Sequence, residues 1–497
     1  MREKYILALD SGTVKNRAVI FNHAGDIVSY AERRINVSHP HGGWVEQDPD
    51  EIWGTQFWAA REAVRLARLS NRDIAAIGVT NQRETTIVWE RETGRPIYPA
   101  ISWKSRQTDE ICERLRQEGL QEEIRQKTSL FVHPYFSATK LCWILEHVPG
   151  SRERARRGEL LFGTVDTWLI WKLSGGTVFA TDFSNASRTM MFHLRKLEWD
   201  ADILEYLGIP GAMLPKVLPS SCIYGMTDAK IVGSEIPIAS CIGNQQADLF
   251  GEACFRKGMA KNTYGEGSFF LMNAGKEYRR SKNGLITTIA WGIGEEITYA
   301  MEGSIFVSGS AMEWLKDGLA LLPAMSDSEW IAKQVPDSGG VYFVPSFRGL
   351  FAPYWDTQTS GMIIGLMEDT TRSHIIRAAL ESLAYQVRDV YEAMVSDTDM
   401  EITDIRVDGG ASQNGLLMQF QADILNLPVL RPYITETTAL GAAYLAGLAV
   451  GVWRNLEEIQ SLWREGLRFT PRMGEEERAR LYDGWQNAVS RVLGWGK

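Results

Sequence analysis

Apolar positions open the chain as a short run over 5–9, followed by the turn Asp10-Ser11-Gly12-Thr13 and a second apolar run over 17–21. Two such runs around a polar, glycine-containing turn predict a strand–turn–strand unit. The pattern recurs in the second half as 259–264, then Gly265-Glu266-Gly267, then 268–272. Two units of one kind predict two related domains facing each other. Between them, residues 50–68 carry helical spacing and 74–80 an apolar strand. The amphipathic stretch 109–126 then precedes another helical stretch at 137–147. Strand and helix exchanging in this way predict α/β domains.

Polar, turn-rich residues 225–234 precede the second unit, which puts the boundary near residue 250, with domains at 1–250 and 251–497. No low-complexity linker separates them, so the domains are expected to be hinged rather than tethered. Farther on, 402–407 reads as a strand and leads into Asp408-Gly409-Gly410-Ala411-Ser412-Gln413-Asn414, then an amphipathic helix over 416–425. A glycine-rich loop between strand and helix leaves backbone N–H groups free for a nucleotide, although a plain tight turn has the same pattern. Ser308-Gly309-Ser310-Ala311 opens another helix. The longest apolar run, 439–453, is broken by glycines and falls short of the roughly 20 residues a membrane span needs. It reads as a buried helix packed through small residues.

At 497 residues the chain is too long for one core and suits two domains. Apolar residues at 44% and charged residues at 23% indicate a soluble globular protein. Charge is interspersed, 53 basic against 62 acidic residues for a net of −9, so nucleic acid is not an expected partner; the basic stretch 152–157 reads as a solvated helix face. The N-terminal segment lacks the apolar core and cleavage site of a signal peptide. Five scattered cysteines without a C-x-x-C pair argue for reduced thiols in the cytoplasm. His39 and His41 lie in a Pro/Gly-rich loop without ligand partners nearby and read as loop residues.

The segment Tyr135-Phe136-Ser137-Ala138-Thr139-Lys140, with Trp143 and Glu146-His147 after it, resembles one signature of the FGGY carbohydrate kinases. Gly361-Met362-Ile363-Ile364-Gly365-Leu366, followed by His374, Ala378 and Glu381, resembles the other. Within that family the similarity is to the glycerol-phosphorylating branch. It is carried by Gly43-Trp44-Val45-Glu46, Asn81-Gln82-Arg83-Glu84-Thr85-Thr86, 162–168, Pro353-Tyr354-Trp355-Asp356 and 437–446. The resemblance covers essentially the whole chain. It implies an α/β fold of two actin-like (ribonuclease H-like) ATPase domains with a cleft between them. It also implies ATP and Mg2+ as cofactors, glycerol as substrate, and a homo-oligomer without a membrane span.

A site for glycerol needs a forked donor, an acceptor and an apolar wall. The resemblance assigns those parts to Arg83, Glu84, Trp103, Tyr135, Gln245 and Phe269. It assigns Thr13, Arg17, Gly265, Gly309, Gly410 and Asn414 to the nucleotide, and Asp10 to the metal shell. Several positions depart from the family pattern. Val14, Lys15 and Asn16 stand where small hydroxyl residues are expected, Glu266 stands where the facing Gly-Thr-Gly turn has threonine, Glu313 replaces a glutamine and Phe351 a glycine. The catalytic base position is Asn244, in Gly243-Asn244-Gln245-Gln246, where the family has aspartate.

A neutral amide holds a hydroxyl but cannot take its proton, and a positioned base contributes ~10²–10⁴-fold, roughly 3–5 kcal/mol of barrier. A carboxylate about 4 Å from a phosphate oxygen repels each unit of charge by ~1–4 kcal/mol. Lys15 and Glu266, on facing turns, are therefore expected to pair and fill the phosphate site. Asp248, one helical turn after Asn244, is offset by roughly 5–6 Å, too far to replace the base. The resulting expectation is a weakened glycerol kinase, with a glycerol-binding pseudokinase and a kinase for another small polyol as alternatives.

Overall fold

In the computed structural model, which describes residues 4–347, 349–356, 358–398 and 400–495, strands Tyr5–Ser11 and Lys15–Phe21 pair antiparallel and set Asp10 opposite Arg17. Ile27–Arg34 adds a third antiparallel strand on the outer side. On the inner side Ile74–Asn81 and then Pro237–Gly243 follow in parallel. Parallel strands need long crossovers, and the chain between 81 and 237 supplies one. These inner strands are buried on both faces, which is why they read as near-continuous apolar runs rather than as alternation.

The second half repeats the plan. Ala260–Tyr264 and Ser268–Gly275 form the hairpin, Glu296–Ile305 pairs antiparallel outside it, and Ile405–Asp408 and Val429–Pro432 follow in parallel on the other side. Spatial order is third, second, first, fourth, fifth in both halves. The halves join in one long mixed sheet, but the junction between Ser221–Met226 and Ile286–Ile293 is the single pair Ser221 and Ile293.

A crossing of two helices connects the halves more firmly. Asn244–Gly251 follows the fifth strand of the first half, and Thr437–Ala449 follows that of the second. A Cβ on Gly251 would lie 2.0 Å from the Thr437 carbonyl oxygen, and one on Gly441 1.8 Å from that of Ala247. Only glycine permits that approach. Helix Thr437–Ala449, the buried small-residue helix expected from 439–453, lies against the strands of the first half: Ser240 Oγ donates to Ala442 O at 2.7 Å and Ser221 Oγ to Leu445 O at 2.7 Å. The C-terminal part thus packs into the N-terminal sheet, which a cut at residue 250 does not convey.

Two local readings change. The stretch 109–126 is two helices, Asp109–Gln117 and Gln121–Thr128, because Gly119 takes a φ of 81° between them. The stretch 225–234 includes the end of strand Ser221–Met226 and the short helix Ala229–Val232. Among the described residues no helix is long and apolar enough to cross a membrane, and all five cysteines are free thiols.

Candidate active site

The first turn carries Asp10 at the end of its strand. Asp10 is buried; burial raises its carboxyl pKa and Arg17 opposes the shift. Arg17 Nη1 lies 3.6 Å from Asp10 Oδ2 and 2.8 Å from Glu436 Oε2, just before the crossing helix. Thr13 Oγ1 accepts from Trp103 Nε1 at 2.9 Å, and Gln82 Nε2 donates to Gly12 O at 3.1 Å. This turn is therefore tied to the loop that carries Arg83 and Glu84.

The expected Lys15–Glu266 pair does not form. Lys15 Nζ lies 2.6 Å from Glu32 Oε2, a diagonal cross-strand neighbour, since Lys15 pairs in register with Arg34. Asn16 points to the other face, where its Nδ2 donates to Ile52 O at 2.7 Å and Thr55 Oγ1 at 2.8 Å in helix Pro49–Leu66. Of the three departing positions, only Val14 faces the large cavity described below. Glu266 pairs instead with Lys104.

Arg83 and Glu84 follow strand Ile74–Asn81, and Glu84 is held in the left-handed region with φ 64°. Both are buried, and so are two partners not foreseen from the sequence, Arg188 and Glu302. Arg83 Nη1 and Nη2 donate to Glu302 Oε2 and Oε1 at 2.6 and 3.0 Å. Its remaining terminal contacts are Gln246 Oε1 and the Tyr135 hydroxyl, both at 3.2 Å. Arg188 Nε donates to Glu84 Oε1 at 2.7 Å and its Nη2 to Glu302 Oε1 at 3.0 Å. Burial works to raise the Glu302 pKa, but Arg188 and Arg83 overcome it and hold the carboxyl at about 2. The Arg83 fork is thus already engaged by protein acceptors. Its Nε, 3.7 Å from Glu84 Oε1, is the part without an acceptor at hydrogen-bond distance among the described residues. Arg188 Nη1 is buried without a hydrogen-bond partner among the described residues.

Aromatic rings stand around this network. The Trp103 ring is 5.8 Å from Tyr135 and 6.2 Å from Phe269, and Arg83 lies 5.7 Å over Phe269. Phe306 completes the group, 5.0 Å from Tyr135. Phe351 stacks on Phe306 at 3.6 Å, so this departure adjoins the aromatic wall and not the large cavity. The signature lysine Lys140 donates to the carbonyls of Tyr135 and Phe136, which fixes the tyrosine; burial lowers its pKa to about 7.

Asn244 is the first residue of helix Asn244–Gly251, half-buried, and among the described residues its side chain has no hydrogen-bond partner. Gln245 accepts from Lys261. Asp248 is turned away to Lys261 Nζ, at 2.8 Å, and to Thr263. Despite burial, Lys261 keeps the Asp248 carboxyl below its ordinary pKa.

A cavity of about 750 Å³ collects Val14, Gly265, Glu266, Gly309, Gly410 and Asn414, with Glu313 and Lys104. A Cβ on Gly309 would lie 2.5 Å from Gly265 O, so helix Gly309–Asp317 can start against the second hairpin turn. Gly410 has open space on its Cβ side, and Asn414 caps helix Gly415–Leu425 by accepting from Leu417 N at 3.0 Å. A smaller cavity of about 320 Å³ lies on the Trp103, Tyr135, Phe306 and Phe351 side. Lys104 lines both.

Two models of the FGGY family of carbohydrate kinases match, the N-terminal domain over residues 5–251 and the C-terminal domain over 260–450. The chain belongs to this family. Glycerol kinase 2 of Thermotoga maritima is 57% identical over 494 residues, 99% of this chain and 100% of that one. Glycerol kinase of Carboxydothermus hydrogenoformans is 54% identical over 496 residues, 100% and 99% of the two chains. The crystal structure of Plasmodium falciparum glycerol kinase with ADP superposes with a TM-score of 0.92 at 34% identity, covering 99% of this chain and 98% of that one. Xylulose kinase from Lactobacillus acidophilus, TM-score 0.88 at 21% identity, shares the fold.

In this FGGY kinase several site residues escaped the sequence reading: Arg188, Glu302, Lys104, Lys261 and Phe306. Glu302 had a signal, being an acid in the middle of strand Glu296–Ile305 rather than at its end like Glu296, and a charge inside such a strand must find partners. Lys261 had a weaker one, as the one charge in the short strand Ala260–Tyr264, where Asn262 and Thr263 are polar as well. Lys104 had none, since it lies in a loop among polar residues.

Proposed function

We propose that this FGGY kinase transfers the terminal phosphoryl group of ATP to a terminal hydroxyl of glycerol, yielding glycerol 3-phosphate and ADP. The observation that carries the reading is the buried Arg83–Glu84–Arg188–Glu302 network with its aromatic wall, next to the cavity framed by Gly265, Gly309 and Gly410. The full-length similarity to chains named glycerol kinase supplies the substrate. Glu84 and the free Nε of Arg83 suit the hydroxyls, and Trp103 and Phe269 the carbon chain. Gly309 and Gly410 suit the nucleotide, whose terminal phosphate enters from the side of the first turn.

Asp10 fits Mg2+. Its carboxylate accepts no hydrogen bond among the described residues, and its nearest cation is Arg17 at 3.6 Å. No group of three or more potential ligands occurs among those residues, which suits an ion held mainly by phosphates and water. When bound, Mg2+ neutralises charge on the phosphates. The chain's own contribution is to orient the hydroxyl and exclude water, which does most of the work in a loose phosphoryl transfer.

One observation favours a second reading, binding without useful turnover: Asn244 cannot take the hydroxyl proton. The deciding experiment is coupled ADP release with and without glycerol. Glycerol-dependent release well below about 10 s⁻¹, the median for enzymes, is expected. Release that responds to a larger polyol and not to glycerol overturns the substrate. Exposed Trp330 and Tyr433 support a homo-oligomer, which light scattering tests, and the five free thiols support a cytoplasmic setting.

A further inference from the structure

The large cavity has a charge balance that a polyanion should not tolerate. Three carboxylates line it, Glu266, Glu313 and Glu329, the last already paired with Lys333 at 2.5 Å outside the cavity, and Lys104 is the one cation among its described lining residues. Glu313 registers the crowding, since burial and then Glu266 raise its pKa. Lys104 is nevertheless not free to serve a ligand, because its ammonium is paired with Glu266 across the gap between the two halves. Both ends of that pair are anchored. The Lys104 ammonium sits 5.4 Å from the centre of the neighbouring Trp103 ring. The Glu266 carbonyl accepts from Ser308 N at 3.0 Å and Ser310 N at 3.1 Å, which ties its turn to the start of helix Gly309–Asp317. Lys104 also lines the smaller cavity on the aromatic side, so it stands where the two cavities meet.

We propose that Lys104 is a phosphate ligand of the donor nucleotide, masked by Glu266 until the nucleotide enters. This rests on reading the large cavity as the nucleotide site. The phosphate oxygens take the Lys104 hydrogen bonds, and Glu266, whose side chain is one-third exposed, is released to solvent. A bound polyphosphate therefore exchanges one counter-ion for another and breaks the contact that joins the halves at this point. Adenosine, which has no phosphate, leaves the pair intact.

Calorimetric titration of adenosine and of ATP, at fixed magnesium, into wild type, Glu266→Gln, Lys104→Met and the double variant tests the assignment. Unmasking by Glu266→Gln is expected to tighten ATP about tenfold, the scale of one charge-assisted hydrogen bond, and to leave adenosine unchanged. Lys104→Met in the Glu266→Gln background is expected to weaken ATP by about tenfold or more, again without effect on adenosine. If the double variant binds ATP as well as Glu266→Gln alone, Lys104 only neutralises Glu266 and the proposal falls. If adenosine binds every variant and ATP affinity ignores both substitutions, the proposal falls while the nucleotide site stands. If neither compound binds, the nucleotide reading falls and takes the proposal with it.

Discussion

Glu302 grips Arg83 with both carboxylate oxygens, at 2.6 and 3.0 Å, so the arginine is held in place before any substrate arrives. Two-point geometry of this kind orients a guanidinium plane as well as neutralising it. The pair is buried, and Arg188 bridges Glu302 to Glu84. Removing one charge from such a set leaves the others uncompensated, at a cost of about 3–5 kcal/mol. Glu302→Gln is thus expected to lower the unfolding free energy measured by urea titration by an amount in that range. It should also abolish the thermal stabilisation that glycerol at roughly 100 mM confers on the wild type by mass action. A variant that keeps both would show that the network is incidental to the pocket.

A second test concerns pH. Asp389 is buried and accepts from the Tyr482 hydroxyl and Trp485 Nε1, both at 2.8 Å, on the C-terminal helix Glu475–Val492. Burial raises its pKa from 3.8 to about 7. An acid whose pKa is raised on folding binds more protons in the folded state between the two values, so its contribution to stability falls as pH rises from about 4 to 7 and is constant beyond. Urea unfolding at several pH values should show Asp389→Asn with a flatter decline over that window than the wild type. Parallel profiles would mean that Asp389 titrates normally.

The helix crossing makes a third prediction. A Cβ at Gly441 meets the backbone oxygen of Ala247 at 1.8 Å and cannot be relieved by moving a side chain. Gly441→Ala should therefore lose more stability than the roughly 1–3 kcal/mol typical of overpacking, or fail to fold. Gly474→Ala, where nothing lies within 4 Å, is the control and should change stability little. Equal behaviour of the two would contradict the close crossing.

Much of this architecture was legible in the sequence because it is local. The runs at 5–9 and 17–21, and at 259–264 and 268–272, announce their hairpins by burial and turn residues alone. Pairings across the cleft were not legible. Lys15 looked ready to meet Glu266, but strand geometry sends it to Glu32, and a loop lysine with no pattern of its own, Lys104, takes the partner instead. Such partners depend on register and on how two halves meet, which no single segment encodes.

That correction alters what Asn244→Asp should do. With Lys15 and Glu266 paired across the phosphate site, restoring the aspartate would leave a blocked transfer path, and three substitutions would be needed. In the structure Lys15 is elsewhere, and Glu266 is held by Lys104 on a side chain one-third exposed, from which it turns to solvent when a nucleotide takes the lysine, so the missing base is the main defect. The new carboxylate would sit in the first turn of helix Asn244–Gly251, where the backbone N–H groups favour negative charge, and Asp248 remains committed to Lys261. Asn244→Asp alone is therefore expected to raise kcat by the ~10²–10⁴ a positioned base supplies. Its rate should fall at low pH as the carboxyl protonates, while the wild-type rate lacks that limb. Adding Lys15→Ser should change nothing further. Steady-state formation of glycerol 3-phosphate by the three proteins decides the matter. A wild-type turnover already near about 10 s⁻¹ would show that no base is needed at this position, since that is an ordinary enzyme rate.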